Sequence, residues 1–446
     1  MGELKRELGL WYATLFGIGL ILGAGIYVLV GRAAGLVGDA VWMSVAFSGL
    51  IAVFTALSYA ELSSMFPFAS STFRYVAEAF PANRLLAFLA GWLLFFGAVS
   101  GAATASLGFA SYFVALSGQI GLLVPASLAL LALLTLLNWW GIKESAALSS
   151  IFTLVEAAGL LIVIAFGFFK PLRQPSYFSF NPSVDPLVAV MVGAAIFYFA
   201  YTGFEFQPTL SEETREAERV MPKAIVLATA VTTMLYLAVS LAAVRLMSWE
   251  ELGMSKAPLA DAVSRVWSEA GSLLMVIALF ATTNTSLGFL VSASRLAYGL
   301  AREDVASPRL GLVNKRRRTP HVSVALSGLI AAFVILITEY LPEAAGWKLK
   351  IGGFEYQLID LVGKTSSLAV LMAFLLVNAS LIALRVRKPD AARPFRVPLS
   401  IGRVPLLPAI ANVLIIAFLA VSFNDWIVWL STLLVMLLGC LLYKRR

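Results

Sequence analysis

The stretch Phe197 to Glu205, reading Phe-Tyr-Phe-Ala-Tyr-Thr-Gly-Phe-Glu, puts a glycine and a carboxylate late in an apolar run that starts near Pro186. Hydrocarbon satisfies neither a bare backbone carbonyl nor an ionised acid, so these residues must break the helix or face something other than lipid. The chemistry on offer is recognition by freed backbone groups beside an acid. A second such place is Gly23-Ala24-Gly25, in the middle of another apolar run. Glycine costs about 1 kcal/mol relative to alanine in a helix interior, so the cluster has a reason. Either it allows close small-xxx-small packing, which Gly19 and Gly23 would serve, or it marks a discontinuous helix. In the second case the free N–H groups at the start of the second half-helix cradle an anion such as a carboxylate.

Other polar residues sit at membrane depth. Glu156 lies well inside an apolar segment, where a lone carboxylate should face the bundle, be protonated or meet a partner. Thr282-Thr283-Asn284-Thr285-Ser286 is an unusually polar patch, whose side chains either bond their own helix or, through Asn284 and Ser286, form a cavity wall. Glu61, at the end of the second segment, reads as a structural acid near a loop. Asp360 and Lys364, four residues apart on one helix face, are expected to form an ion pair.

The elements that position these groups follow from composition. Of 446 residues 60% are hydrophobic and 13% charged, against about 25% charged in a soluble domain, and mean hydropathy is +0.89. Apolar runs of roughly 20 residues, enough to cross about 30 Å of hydrocarbon, number twelve. They lie near 10–31, 40–66, 84–116, 121–140, 146–169, 186–211, 222–247, 270–301, 321–340, 356–385, 403–423 and 426–443. An even count puts both termini on one side. Most Lys and Arg then share that side, including Lys315 to Arg318, and this makes it cytoplasmic by the positive-inside rule. Topology thereby accounts for the +8 net charge without nucleic acid. No cleavable leader is expected from the first segment, which is long and lacks a small-residue cleavage site. One cysteine and one histidine leave no material for a disulfide, a metal cluster or a His-based catalytic triad, and no phosphate loop or intramembrane acid pair is present. Neither a cofactor nor enzymatic chemistry is expected.

If segments one to five and six to ten are a repeat, the two interrupted helices fall at matching positions, and the odd number makes the repeat inverted. The expected fold is an all-α polytopic membrane protein of 12 transmembrane helices. It has a 5+5 inverted repeat with broken helices 1 and 6, divided into residues 1–170, 186–385 and a C-terminal pair of helices within 386–446. Breaks that meet at the midplane are the secondary-transporter arrangement, in which half-helix ends bind substrate and ions.

Four stretches, taken together, resemble the amino acid, polyamine and organocation (APC) transporters of the LeuT-type fold. These are Gly23-Ala24-Gly25-Ile26; Phe199 to Glu205 with Glu212-Glu213 and Pro222-Lys223-Ala224-Ile225; Ser294-Arg295-Leu296-Ala297-Tyr298-Gly299-Leu300-Ala301-Arg302-Glu303-Asp304 with Thr319-Pro320; and Arg393-Pro394-Phe395-Arg396-Val397-Pro398. The likeness covers segments one to eleven. It implies that amides at Ala24, Gly25 and Ile26, around Gly23, hold a substrate carboxylate. Carbonyls of Ile21, Phe199, Ala200 and Thr202 would hold its ammonium, with the Phe199 ring closing over it. The resemblance gives Glu205 a part in the substrate or proton response. Several proton-coupled members carry lysine where this chain has Glu156, so their coupling scheme does not carry over.

What the resemblance implies is a permease of the cytoplasmic membrane that moves an amino acid by alternating access, by proton coupling or exchange. A neutral substrate is favoured because the third segment supplies no acid. The rivals are a polyamine or cationic amino-acid antiporter using Glu205 and Glu156, and an amino-acid sensor that binds without transporting. The expected partners are the amino acid or amine, membrane lipid and a coupling proton or sodium ion, with a homodimer left open.

Overall fold

The computed structural model describes residues 3–23, 25–342, 349–351, 354–422 and 425–444. Helices α1 (Leu10–Leu22), α2 (Gly25–Val37), α3 (Val41–Met65), α4 (Thr72–Ala79), α5 (Arg84–Ser117), α6 (Leu123–Trp140) and α7 (Ile142–Phe169) come first. After a polar loop follow α8 (Pro186–Tyr198), a 3-10 segment (Phe204–Glu213), α9 (Ala217–Leu246), the short α10 (Trp249–Met254) and α11 (Pro258–Ser264), and α12 (Ala270–Arg302). The chain ends with α13 (His321–Ile335), α14 (Leu358–Arg387), α15 (Leu406–Ser422) and α16 (Trp426–Leu442). One end of the bundle carries α4 and the 303–320 loop, and the other carries α10 and α11; they are termed the α4 end and the cap end.

Among the described residues nine helical segments are long and apolar enough to cross a membrane, and α1 with α2, at 40° to one another, form a tenth as one broken span. Helices α15 and α16 are apolar and have 17 residues each, at the lower end of the roughly 17–25 that cross the hydrocarbon. The chain is therefore a polytopic helical membrane protein, with up to ten apolar helical segments of spanning length among the described residues. Two small antiparallel hairpins, Leu349–Ile351 with Phe354–Tyr356 and Ser400–Ile401 with Val404–Pro405, were not anticipated. Nor was α4, which is too short for a search by span length. Residues 249–267 form two short helices rather than one, because Pro258 opens α11 and cannot continue α10.

Local chemistry sets the helix ends. Asn83 accepts from the Leu86 N–H at 3.0 Å to start α5, and Gly118 ends it at φ 71°. Asp185 accepts from the Leu187 and Val188 N–H groups at 3.0 and 3.1 Å, with Pro186 in the first turn of α8.

Lipid tails are as apolar as leucine, so packing and interhelical hydrogen bonds, not expulsion of water, hold the spans together. The Ser44 and Ser48 hydroxyls of α3 donate to the Val190 and Ala194 carbonyls of α8 at 2.9 and 2.8 Å. Ser286 of α12 lies 2.8 Å from the Ser106 hydroxyl of α5 and 3.2 Å from the Ala102 carbonyl. Such bonds average about 0.6 kcal/mol each. The small residues of α5 let α12 lie along it, and a Cβ on Gly101 would come within 2.8 Å of the Phe289 ring. Helices α1, α5 and α12 and the turn that follows α8 meet beside both helix breaks.

Candidate functional site

Helix α1 stops at Gly23, whose φ of 33° and ψ of −171° end the helical hydrogen bonding, and α2 restarts at Gly25. Helix α8 loosens into a 3-10 turn over Phe199–Tyr201, becomes extended at Thr202 (φ −65°, ψ 138°) and turns at Gly203 (φ 145°, ψ −43°). The two breaks touch backbone to backbone. A Cβ on Gly203 would stand 2.8 Å from the Leu20 carbonyl carbon and 2.9 Å from the Ile21 nitrogen, and one on Gly25 would stand 3.1 Å from Ala200 Cα. Only glycine combines that φ with that approach.

The carbonyls that the breaks set free are already engaged. The Tyr236 hydroxyl of α9 lies 2.6 Å from the Ile21 oxygen, 3.0 Å from that of Leu22 and 3.0 Å from that of Ala200, and has one proton to share among them. Its ring is fixed edge-on by Phe197 and Tyr201, at centroid distances of 5.4 and 5.1 Å. Phe199 O accepts from the Thr202 hydroxyl at 2.8 Å. Sequence reasoning missed Tyr236, because nothing local distinguishes a tyrosine in an apolar span.

A cavity of about 200 Å³ opens beside the breaks. Ile21, Gly23, Gly25, Phe199, Ala200 and Thr202 line it, which brings six of the eight residues expected at a substrate site together. Ile26 is buried and does not line it, and Ala24 lies outside the described residues. The far wall is Gly101, Thr104, Ala105 and Gly108 of α5 with Thr285 and Phe289 of α12. No charged side chain is among these residues. Thr285 was also missed; its hydroxyl is buried without a partner among the described residues, and a Cβ on Gly23 would approach it to 2.6 Å. Asn284 and Ser286, expected as cavity wall, point elsewhere: Ser286 binds α5, and Asn284 faces Glu156.

Glu156 is fully buried between α7, α12 and α1. Asn284 Nδ2 donates to its Oε1 at 2.9 Å and to the Thr153 hydroxyl at 3.0 Å, and Gly19 of α1 packs directly on Thr153 and Asn284. Glu156 Oε2 and Asn284 Oδ1 have no partner among the described residues. Glu205 is equally buried, below the cavity toward the α4 end, and its Oε2 accepts from the Gly203 N–H at 2.8 Å while Oε1 has no partner among the described residues. It caps the very turn that the second break creates. Neither acid lines the cavity.

The remaining motif residues close the α4 end. Arg295, completely buried, makes a two-pronged pair with Glu213: Nε to Oε2 at 2.9 Å and Nη2 to Oε1 at 3.0 Å, while Nη1 contacts Asn138 Oδ1. Glu212 accepts from the Ala69 N–H at 3.0 Å and from the Tyr298 hydroxyl at 3.3 Å. Glu61 holds Arg385 Nε at 2.8 Å and the Val397 N–H at 2.7 Å, with Arg393 at 3.2 Å, which agrees with a structural acid. Above these clamps Tyr59, Phe204 and Phe374 form an aromatic layer with centroid separations of 5.2 to 5.9 Å. Asp360 and Lys364 do not form the expected pair; both are exposed in the first turns of α14.

Residues 8–443 match the family model described as amino acid permease. Across all of this chain and 94% of the relative's length, it is 29% identical to a methylthioribose transporter of Bacillus subtilis. A branched-chain amino acid permease, BcaP, of the same organism is 27% identical over 99% of this chain and 93% of its own. The chloroplastic cationic amino acid transporter 9 of Arabidopsis thaliana is 35% identical over 68% of this chain and 56% of its own. The chain belongs to the amino acid permease family, within the APC superfamily, and is a transporter rather than an enzyme.

Proposed function

We propose that the chain moves a neutral amino acid across the cytoplasmic membrane by alternating access, its substrate held between the two helix breaks. The observation that carries this reading is the 200 Å³ cavity bounded by both breaks and by no charged side chain. An apolar cavity of about 150 Å³ holds a benzene molecule, so the space suits one small solute. Amides at the start of α2 take the α-carboxylate, with Gly25 keeping the approach open. The ammonium displaces the Tyr236 hydroxyl from the Ile21 and Ala200 carbonyls, and the Thr285 hydroxyl supplies a further acceptor. Phe199, partly exposed on the cavity, closes over the substrate.

Alternation follows from the asymmetry of the two ends. Clamps and the aromatic layer shut the α4 end, and buried polar atoms without partners among the described residues lie on that side: Thr14 Oγ1, Gln207 Oε1, Glu205 Oε1 and Tyr198 Oη. Each costs about 1–3 kcal/mol when dry, which water entering from that end would recover. The basic loops, Lys315 to Arg318 among them, make the α4 end cytoplasmic, and the broken spans α1–α2 and α8 are the matched members of an inverted repeat.

Coupling rests on Glu156. A proton on its carboxyl turns an unpartnered acceptor into a donor, and Asn284, Thr153 and Gly19 connect that change to α1 just before its break. A polyamine or cationic substrate is less well supported because neither Glu156 nor Glu205 reaches the cavity. Uptake of labelled leucine, serine, arginine and putrescine into proteoliposomes, with and without sodium and a pH gradient, tests the reading. Sodium-independent uptake of a neutral amino acid driven by the pH gradient is expected. Uptake of putrescine alone would overturn the carboxylate cradle, and binding without flux would make the protein a sensor.

A further inference from the structure

A second cleft, of about 350 Å³, lies far from the helix breaks at the α4 end, where α5, α12, α13 and α16 converge. Phe88 and Trp92 of α5, Leu300 of α12 and Leu326 and Ile330 of α13 give it apolar walls. Trp92 asks nothing of an occupant, because its indole N–H donates to the Val435 carbonyl at 2.8 Å. Lys444 is the one charged residue lining the cleft. It lies two residues beyond the end of α16, it is exposed, its backbone N–H reaches the Val305 carbonyl at 3.4 Å, and its ammonium has no ion-pair partner among the described residues. Arg309 is exposed in the turn between the lining residues Ser307 and Leu310, and Lys315 to Arg318 follow in the same loop.

Hydrocarbon walls inside a membrane exclude a polar solute, and an unpaired cation at the mouth selects the sign of whatever enters. We propose that this cleft binds one anionic phospholipid, its acyl chain lying along Phe88, Trp92, Leu326 and Ile330 and its phosphate on Lys444. A basic pocket between transmembrane helices at the cytoplasmic face is the setting in which anionic headgroups are held, and Arg309 widens the positive rim. The site has a route to transport. Ala297 and Leu300 line the cleft from α12, two and five residues after Arg295, whose pair with Glu213 closes the α4 end. A lipid wedged there favours that closed arrangement. The proposal rests on the membrane-spanning fold and not on the choice of substrate.

The test uses the full chain purified in detergent and delipidated, titrated with phosphatidylglycerol or phosphatidylcholine of the same acyl chains and read by native mass spectrometry. Expected are one phosphatidylglycerol per chain and at least tenfold weaker retention of phosphatidylcholine. Lys444→Gln, a surface change that leaves folding intact, should erase the preference. Ala306→Trp, which fills the cleft, should lower retention of both lipids at unchanged melting temperature. Equal retention of the two lipids by the unaltered protein would overturn the proposal. So would a preference that survives Lys444→Gln.

Discussion

Gly203→Ala is the smallest change that tests whether the two helix breaks are one device. It adds a single methyl group, yet the added carbon would stand 2.8 Å from the Leu20 carbonyl carbon, 2.9 Å from the Ile21 nitrogen and 3.0 Å from the Leu20 oxygen. All three are backbone atoms and cannot swing aside as a side-chain tip would. The residue also sits at φ 145°, where alanine is strained by about 1–3 kcal/mol. Overpacking a fixed contact adds about 1–3 kcal/mol. Relief requires the second break to move away from the first, so about 2–6 kcal/mol is lost from the binding-competent arrangement. At 1.4 kcal/mol per tenfold that is a fall in substrate affinity of about 30-fold at least and about 10⁴-fold at most. The assay is equilibrium binding of the best substrate from the uptake panel to purified protein, with size-exclusion elution confirming that the variant is folded. Gly363→Ala serves as the control, since a Cβ there meets nothing within 4 Å. Gly203→Ala binding within threefold of the unaltered protein would refute the reasoning that the breaks depend on each other's backbone.

Gly25→Val should abolish binding, because its side chain fills the approach to the α2 amides against Ala200; retained affinity in the same assay would leave the glycine a packing role only. Tyr236→Phe strips a buried hydroxyl from three carbonyls, which should cost about 1–3 kcal/mol and appear as a lower melting temperature in the absence of substrate. Glu156→Gln should flatten the pH dependence of uptake, and an unchanged profile would return this acid to a purely structural role. Arg295→Met leaves Glu213 buried and unpaired, at a cost of about 3–5 kcal/mol, whereas Arg295→Met with Glu213→Leu should recover much of it in thermal unfolding. At the cap end, the Arg265 guanidinium and the Ser248 amide hold the Glu251 carboxyl down at about 2. A depressed value stabilises α10 and α11 above the usual carboxylate range near 4.5, and the contribution is lost as pH falls toward 2. Protection of the α10 amides from hydrogen exchange, taken relative to the intrinsic rate at each pH, should therefore be steady from pH 7 to pH 5 and fall only in stronger acid.

Residue types announced the two breaks because glycine and an acid at membrane depth violate the chemistry of lipid, and the spans were legible because a run of apolar residues has few other uses. What joins distant residues was less legible. Glu212-Glu213 and Arg295 were visible as motif residues, but only folding shows that Arg295 and Glu213, 82 positions apart, are a single buried pair. The same holds for Glu61 with Arg385 and Arg393. Glu156 stood out as an anomaly, whereas its partner Asn284 had been read as cavity wall. On a helix each residue turns about 100° from the last, so Asn284 meets Glu156 and Thr285 faces the cavity. Local spacing cannot say which of the two looks inward. Asp360 and Lys364 had the right separation for a pair but are exposed, where such a pair is worth little.

Competition binding with blocked derivatives addresses the proposed site most directly. Against the best amino acid of the panel, its methyl ester lacks the carboxylate that the α2 amides would hold, and its N-acetyl form lacks the ammonium that the Ile21 and Ala200 carbonyls would hold. Both derivatives should compete at least 100-fold more weakly than the free amino acid. Competition by either one within threefold of the parent compound would contradict recognition of the amino acid by the two helix breaks.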